Sequence, residues 1–112
     1  SQKSFTTGQY NTSVGHASLR SNSTGTFNTS LGYRALYGSS GNSTSNNVAI
    51  GSDSLYSIST GGYNVAVGSN ALYGLTTGNY SVGIGWRAGQ YNIGLLPQVT
   101  LMSAWDIVLV IV

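Results

Sequence analysis

The sequence predicts an all-β chain, a parallel β-solenoid (β-roll) of about five short coils followed by a C-terminal apolar β-strand. Three observations lead there. A short motif, Asn11-Thr-Ser-Val-Gly15, returns at Asn28-Thr-Ser-Leu-Gly32, Asn47-Val-Ala-Ile-Gly51, Asn64-Val-Ala-Val-Gly68 and Ser81-Val-Gly-Ile-Gly85, with anchors 17, 19, 17 and 17 residues apart. A period this regular marks a stack of equivalent units, each too small to bury a core alone. The flanks repeat as well: T-G-x-aromatic precedes four anchors (Thr7 to Tyr10, Thr24 to Phe27, Thr60 to Tyr63, Thr77 to Tyr80), and a small residue with leucine follows at Leu19, Leu36, Leu55 and Leu72. Finally, 16 glycines among 112 residues, with only 5% charged residues, describe turns and polar uncharged surface rather than a helical or disordered chain.

Each motif alternates, so the first and third residues after the anchor share one face of a strand and the second lies on the other. The apolar face, including Val14, Leu31, Ile50, Val67 and Ile84, is expected to point inward with the leucines Leu19, Leu36, Leu55 and Leu72 as a core ladder. The aromatic before each anchor is expected to add a ring to that interior. Ser13, Ser30, Ala49, Ala66 and Gly83 form a column of small residues on the opposite face. The motif glycines Gly15, Gly32, Gly51, Gly68 and Gly85 then turn the chain, since glycine enters φ > 0 without steric cost. The third repeat departs from the rest: a two-residue insertion precedes it, and Asn46 stands where the other coils carry a ring. Stacked about 4.8 Å apart, five strands make a rod on the order of 24 Å long. A foreshortened sixth copy is read at Gly89 to Leu95, before Pro97.

The repeat domain is taken as residues 1–96 and the C-terminal segment as 97–112. Leu101 to Val112 is aliphatic, β-branched and ends in six consecutive aliphatics, but it is too short for a membrane helix and is interrupted by Asp106. Such a strand must be covered. Two arrangements do so: it folds back as a cap on its own solenoid, or it joins a neighbouring copy. Trp105, Ile107, Val108, Leu109, Val110, Ile111 and Val112 are the residues assigned to that assembly role.

Little points to chemistry. Two acidic residues and a single histidine supply neither a carboxylate pair nor a metal set, and no cysteine is present. A formal charge of +2, scattered over Lys3, Arg20, Arg34 and Arg87, makes no phosphate-tracking stripe, so nucleic acid is not expected as a partner. Catalytic residues, cofactors and metals are expected to be none. One column holds Arg34 directly before Asp53, an opposite-charge pair if the coils stack. Another holds His16, Tyr33 and Trp86, the side chains best suited to touch a ligand. N-x-S/T sequons occur at Asn11, Asn22, Asn28, Asn42 and Asn79, as an Asn/Ser/Thr-rich composition produces them.

Gly62-Tyr-Asn-Val-Ala-Val-Gly68 and Asn47-Val-Ala-Ile-Gly51-Ser-Asp-Ser-Leu55 resemble the N-x-A-[VI]-G repeats of trimeric autotransporter adhesin heads and the similar repeats of phage tail fibres, over roughly Thr7 to Leu95. The resemblance implies a parallel β-roll, commonly trimeric, serving as a rigid extracellular rod. The coils are longer than the adhesin-head period, and neither an adhesin's membrane barrel nor a fibre's C-terminal chaperone is recognisable in the tail.

The sequence therefore leads to a non-enzymatic structural subunit of an extracellular, cell-surface or virion fibre or filament, self-assembling with further copies of itself through β-solenoid stacking and the C-terminal strand. The alternative is an adhesin-head or tail-fibre segment that binds a cell-surface glycan or receptor.

Overall fold

The computed structural model describes residues 8–38, 43–91, 98–101 and 108–110. Seven short strands form one sheet in chain order: β1 (Thr12–Val14), β2 (Thr29–Leu31), β3 (Val48–Ile50), β4 (Val65–Val67), β5 (Val82–Ile84), β6 (Gln98–Thr100) and β7 (Val108–Val110). β1 to β6 are parallel, and the first strand residues after the anchors stay in register as Thr12, Thr29, Val48, Val65 and Val82, with Val99 continuing the column. The chain is thus a parallel β-solenoid of about five turns. β6 lies inside the segment 97–112 that the sequence set apart, and it extends the parallel stack by one strand. β7 then reverses and pairs antiparallel with β6, Val99 opposite Leu109. Trp105, Ile107, Ile111 and Val112, like the proposed sixth copy from residue 92 onward, lie outside the described residues.

The strands face the other way from the sequence expectation. Ser30, Ala49, Ala66 and Gly83 are the buried strand residues, whereas Val14, Leu31 and Ile84 are 57%, 45% and 41% exposed and Ile50 and Val67 only half-buried. Width is the reason. A coil of 17 residues encloses room for one large side chain between its walls, and the leucine wall supplies it: Leu19, Leu36, Leu55 and Leu72 are fully buried. A Cβ added at Gly83 would lie 2.8 Å from Leu72 Cγ, so the strand residue opposite each leucine must be small. Ile58 and Leu75 fill the next corner of their coils. The anchor-preceding rings are also outside the core: Tyr10, Phe27, Tyr63 and Tyr80 are 57–72% exposed.

The leucine wall is stitched between coils although it forms no regular strand. Leu19, Leu36, Leu55 and Leu72 donate their N–H groups to the carbonyls of Ala35, Ser54, Ala71 and Ala88 at 2.8–3.0 Å. The turn from strand to leucine uses φ of 120–131° at Gly15, Gly32, Gly51, Gly68 and Gly85. Stacking enforces the same choice, since a Cβ on Gly51 would meet the Gly68 carbonyl carbon at 2.7 Å.

A buried asparagine ladder closes the coils. Asn28, Asn47 and Asn64 are fully buried at the anchor position. Asn11 Oδ1 accepts from the Asn28 backbone N–H at 2.9 Å and from its Nδ2 at 3.1 Å, and the pattern repeats from Asn28 to Asn47 and from Asn47 to Asn64. Each Nδ2 also donates to the corner before the next anchor: Asn11 to Gly25 O, Asn28 to Thr44 O, Asn47 to Gly61 O and Asn64 to Gly78 O, at 2.8–3.1 Å. Ser81 ends the ladder, giving its N–H to Asn64 Oδ1 at 2.9 Å.

Candidate functional site

The outward strand face is the largest feature that the interior does not explain. Two columns run along it: Thr12, Thr29, Val48, Val65 and Val82, and beside them Val14, Leu31, Ile50, Val67 and Ile84. Every member is exposed or half-buried. The threonine-to-valine gradient therefore lies on the surface, and the face is more apolar toward β5. An exposed aliphatic patch of this kind is the type of surface at which proteins meet partners.

Beyond the motif glycine the surface turns aromatic and cationic. His16 and Tyr33 stack at 5.7 Å between ring centroids. Trp86 shares their column but stands three coils beyond Tyr33, with Ser52 and Ser69 between, so the three proposed ligand residues do not form one cluster. The sequence missed the stronger ladder, Tyr37–Tyr56–Tyr73, stacked at 5.0 Å per step. Its signal was the residue after each core leucine. Arg34 sits between the rings of Tyr33 and Tyr56, 4.8 and 4.9 Å from their centroids, and its Nε pairs with Asp53 Oδ1 at 2.8 Å. Close contact with the Asp53 carboxylate raises the Arg34 pKa, so the guanidinium stays charged at any ordinary pH. Arg87 covers one face of Trp86 at 4.3 Å, and Arg20 lies 5.7 Å from the Tyr37 ring. Stacked rings spend their faces on each other and offer edges and hydroxyls to solvent.

The anchor-preceding rings make another ladder. Tyr10 stacks on Phe27 at 5.0 Å and Tyr63 on Tyr80 at 5.3 Å, with interplanar angles of 10° and 13°. Asn46 interrupts it between Phe27 and Tyr63.

Among the described residues, no group of His, Cys, Asp and Glu is arranged to hold a metal ion, and no helix is long and apolar enough to cross a membrane. The sequon residues Asn22 and Asn28 are fully buried with both amide atoms bonded, so the folded chain cannot accept a glycan there. The chain matches no protein-family model, no curated protein and no solved structure. The class that fold and surface define is a polar β-solenoid of few charges with one aliphatic sheet face.

Proposed function

We propose that the chain is a non-enzymatic structural subunit of an extracellular or virion fibre and that it assembles with copies of itself through the outer sheet face. The observation that carries this reading is the orientation of the strands: their aliphatic, mostly β-branched residues are turned outward, while the small strand residues face the buried leucine wall. Copies of this chain suit that face because their side chains repeat at the same strand spacing, so two such faces interdigitate along their whole length. The face carries no charge that would select another partner. Covering Val14, Leu31, Val48, Ile50, Val65, Val67, Val82 and Ile84 is worth about 1 kcal/mol each, or roughly 16 kcal/mol for two opposed faces, against an association cost of about 4–15 kcal/mol. Lateral association therefore leaves a modest surplus, larger when each copy contacts two others.

The test is mass in solution. The native chain is expected to sediment as an oligomer at micromolar concentration, and the double variant Ile50→Lys, Val67→Lys to remain folded by circular dichroism yet sediment as a monomer. A native chain that is monomeric at high concentration, or a variant of unchanged mass, would sink the proposal. A second reading, an adhesin-head or tail-fibre segment that contacts a cell-surface glycan or receptor, is favoured by the exposure of Tyr33 (49%) and Trp86 (59%) beside guanidinium groups.

A further inference from the structure

We infer that the break in the anchor-preceding ladder is a binding slot for one neutral pyranose ring with equatorial hydroxyls, held between Phe27 and Tyr63 over Asn46. The inference deepens the ligand-binding reading and rests on it, but places the site away from Tyr33 and Trp86.

The slot is a place where the column carries the shorter Asn46 side chain in place of a ring, within an unbroken backbone. The residues of this column share one conformation, φ 59° at Phe27, 61° at Asn46 and 60° at Tyr63. Their amides continue the same ladder, Asn46 N–H to Thr26 O at 2.9 Å and Tyr63 N–H to Ser45 O at 3.3 Å. From Ser43 onward the third coil is in register with the fourth, Ser43 N–H bonding Ser59 O at 3.2 Å. A ring is therefore missing at a place built to carry one. In the unbroken neighbouring ladder two steps of 5.0 Å separate Tyr37 from Tyr73. Phe27 and Tyr63 span the same two coils and are therefore about 10 Å apart, so a guest ring lying against the outer end of the short Asn46 side chain is at ordinary stacking distance from both. Phe27 is stacked on Tyr10 and Tyr63 on Tyr80, so the faces they turn toward the third coil are the ones not engaged within those pairs. Both rings are more than half exposed.

The walls and the floor together select the guest. Aromatic faces carry negative charge and attract weakly positive C–H groups. A pyranose whose hydroxyls are all equatorial directs axial C–H groups to both faces and hydroxyls to its edge, where the half-buried Asn46 amide offers donors and an acceptor. An axial hydroxyl, as in the galacto configuration, would press a polar group against one ring without a partner. A flat aromatic guest fits the thickness but leaves the amide facing hydrocarbon. No charged residue stands in this column, so an anionic sugar finds no counter-ion.

The experiment is an NMR titration of the intact chain with a methyl β-glucoside, its galacto epimer and N-acetyl-tyrosine amide, following the Asn46 side-chain amide and the Phe27 ring. The glucoside is expected to saturate with Kd on the order of 1 mM, as suits a single-ring ligand. The galactoside should bind at least about fivefold more weakly. Asn46→Tyr completes the ladder in a conformation that tyrosine already adopts at three other coils, so it should leave the chain folded and weaken glucoside binding at least about tenfold. Phe27→Ala and Tyr63→Ala should each weaken it several-fold. Undiminished binding by Asn46→Tyr overturns the slot, as does preference for the tyrosine amide or the absence of saturable shifts. Glucoside binding lost in Tyr33→Ala or Trp86→Ala but kept in Asn46→Tyr overturns the slot while leaving the ligand-binding reading intact.

Discussion

The residue that explains most of this molecule is the anchor asparagine. Asn47 accepts two hydrogen bonds from Asn64, donates to Asn28 Oδ1 and Gly61 O, and is fully buried. Removing its amide takes this partner from the buried Asn64 N–H and from the Gly61 carbonyl of the next coil, at about 1–3 kcal/mol for each. Asn47→Ala should therefore lower unfolding stability by about 3–5 kcal/mol in urea titration, and Asn79→Ala, at an exposed position, by well under 1 kcal/mol. Equal losses at the two sites would show that the ladder contributes nothing particular. The sequence carried this role in plain view. An asparagine at the anchor has the same parity as the buried alanine two residues on, and a polar residue held on an inward face at every coil needs a bonding partner from the next coil. The conformations of the fourteen described non-glycine residues with φ of 50–61° were less legible. Only Asn46, Asn70 and Asp53 are residue types that favour that region. Leu19, Leu36, Leu55 and Leu72 adopt it because no other direction brings them into the coil.

Among elements, the three-residue strand is where sequence reasoning gave the right period and the wrong face. Alternation separates Val48 and Ile50 from Ala49 correctly, but it does not say which set is inside, and preference for the apolar set assumes a core wide enough to hold it. Here the leucine from the opposite wall decides. Ser13 Oγ donating to Ser18 O at 3.0 Å and Ser30 Oγ to Ala35 O at 2.9 Å mark the narrow span that alanine occupies in the third and fourth coils. A pair of variants separates the two orientations at concentrations where the chain is monomeric. Ala66→Val puts two methyl groups into a filled coil and should cost about 1–3 kcal/mol, whereas Val65→Thr, on the outer face, should stay within about 0.5 kcal/mol. The reverse ranking in urea denaturation would return the valines to the interior. The leucine ladder, the turn glycines and the Arg34–Asp53 pair were legible because each follows from column equivalence alone, with no judgement about width.

At the scale of the whole molecule the two ends of the stack differ, and the difference bears on how copies meet. β1 leads the parallel series, so one edge of its backbone has the direction and spacing that another coil would match. At the other end β7 lies antiparallel on β6, and a copy arriving in translational register finds a strand running the wrong way. Within the chain, the C-terminal strand pairs with the last strand of its own solenoid. A chain ending at Thr100 loses β7 and bares the β6 edge, whose direction is that of β1. An exposed parallel edge in register with the repeat recruits the next copy head to tail, a contact that does not close and so propagates. The truncated chain is therefore expected to form longer, end-to-end species than the intact chain by electron microscopy and sedimentation, with lateral association through the outer sheet face preserved in both. The opposite result, only short species after truncation, would make β7 the strand that joins copies rather than the one that stops them, and an unchanged distribution of lengths would remove both roles and leave the aliphatic face as the sole means of assembly.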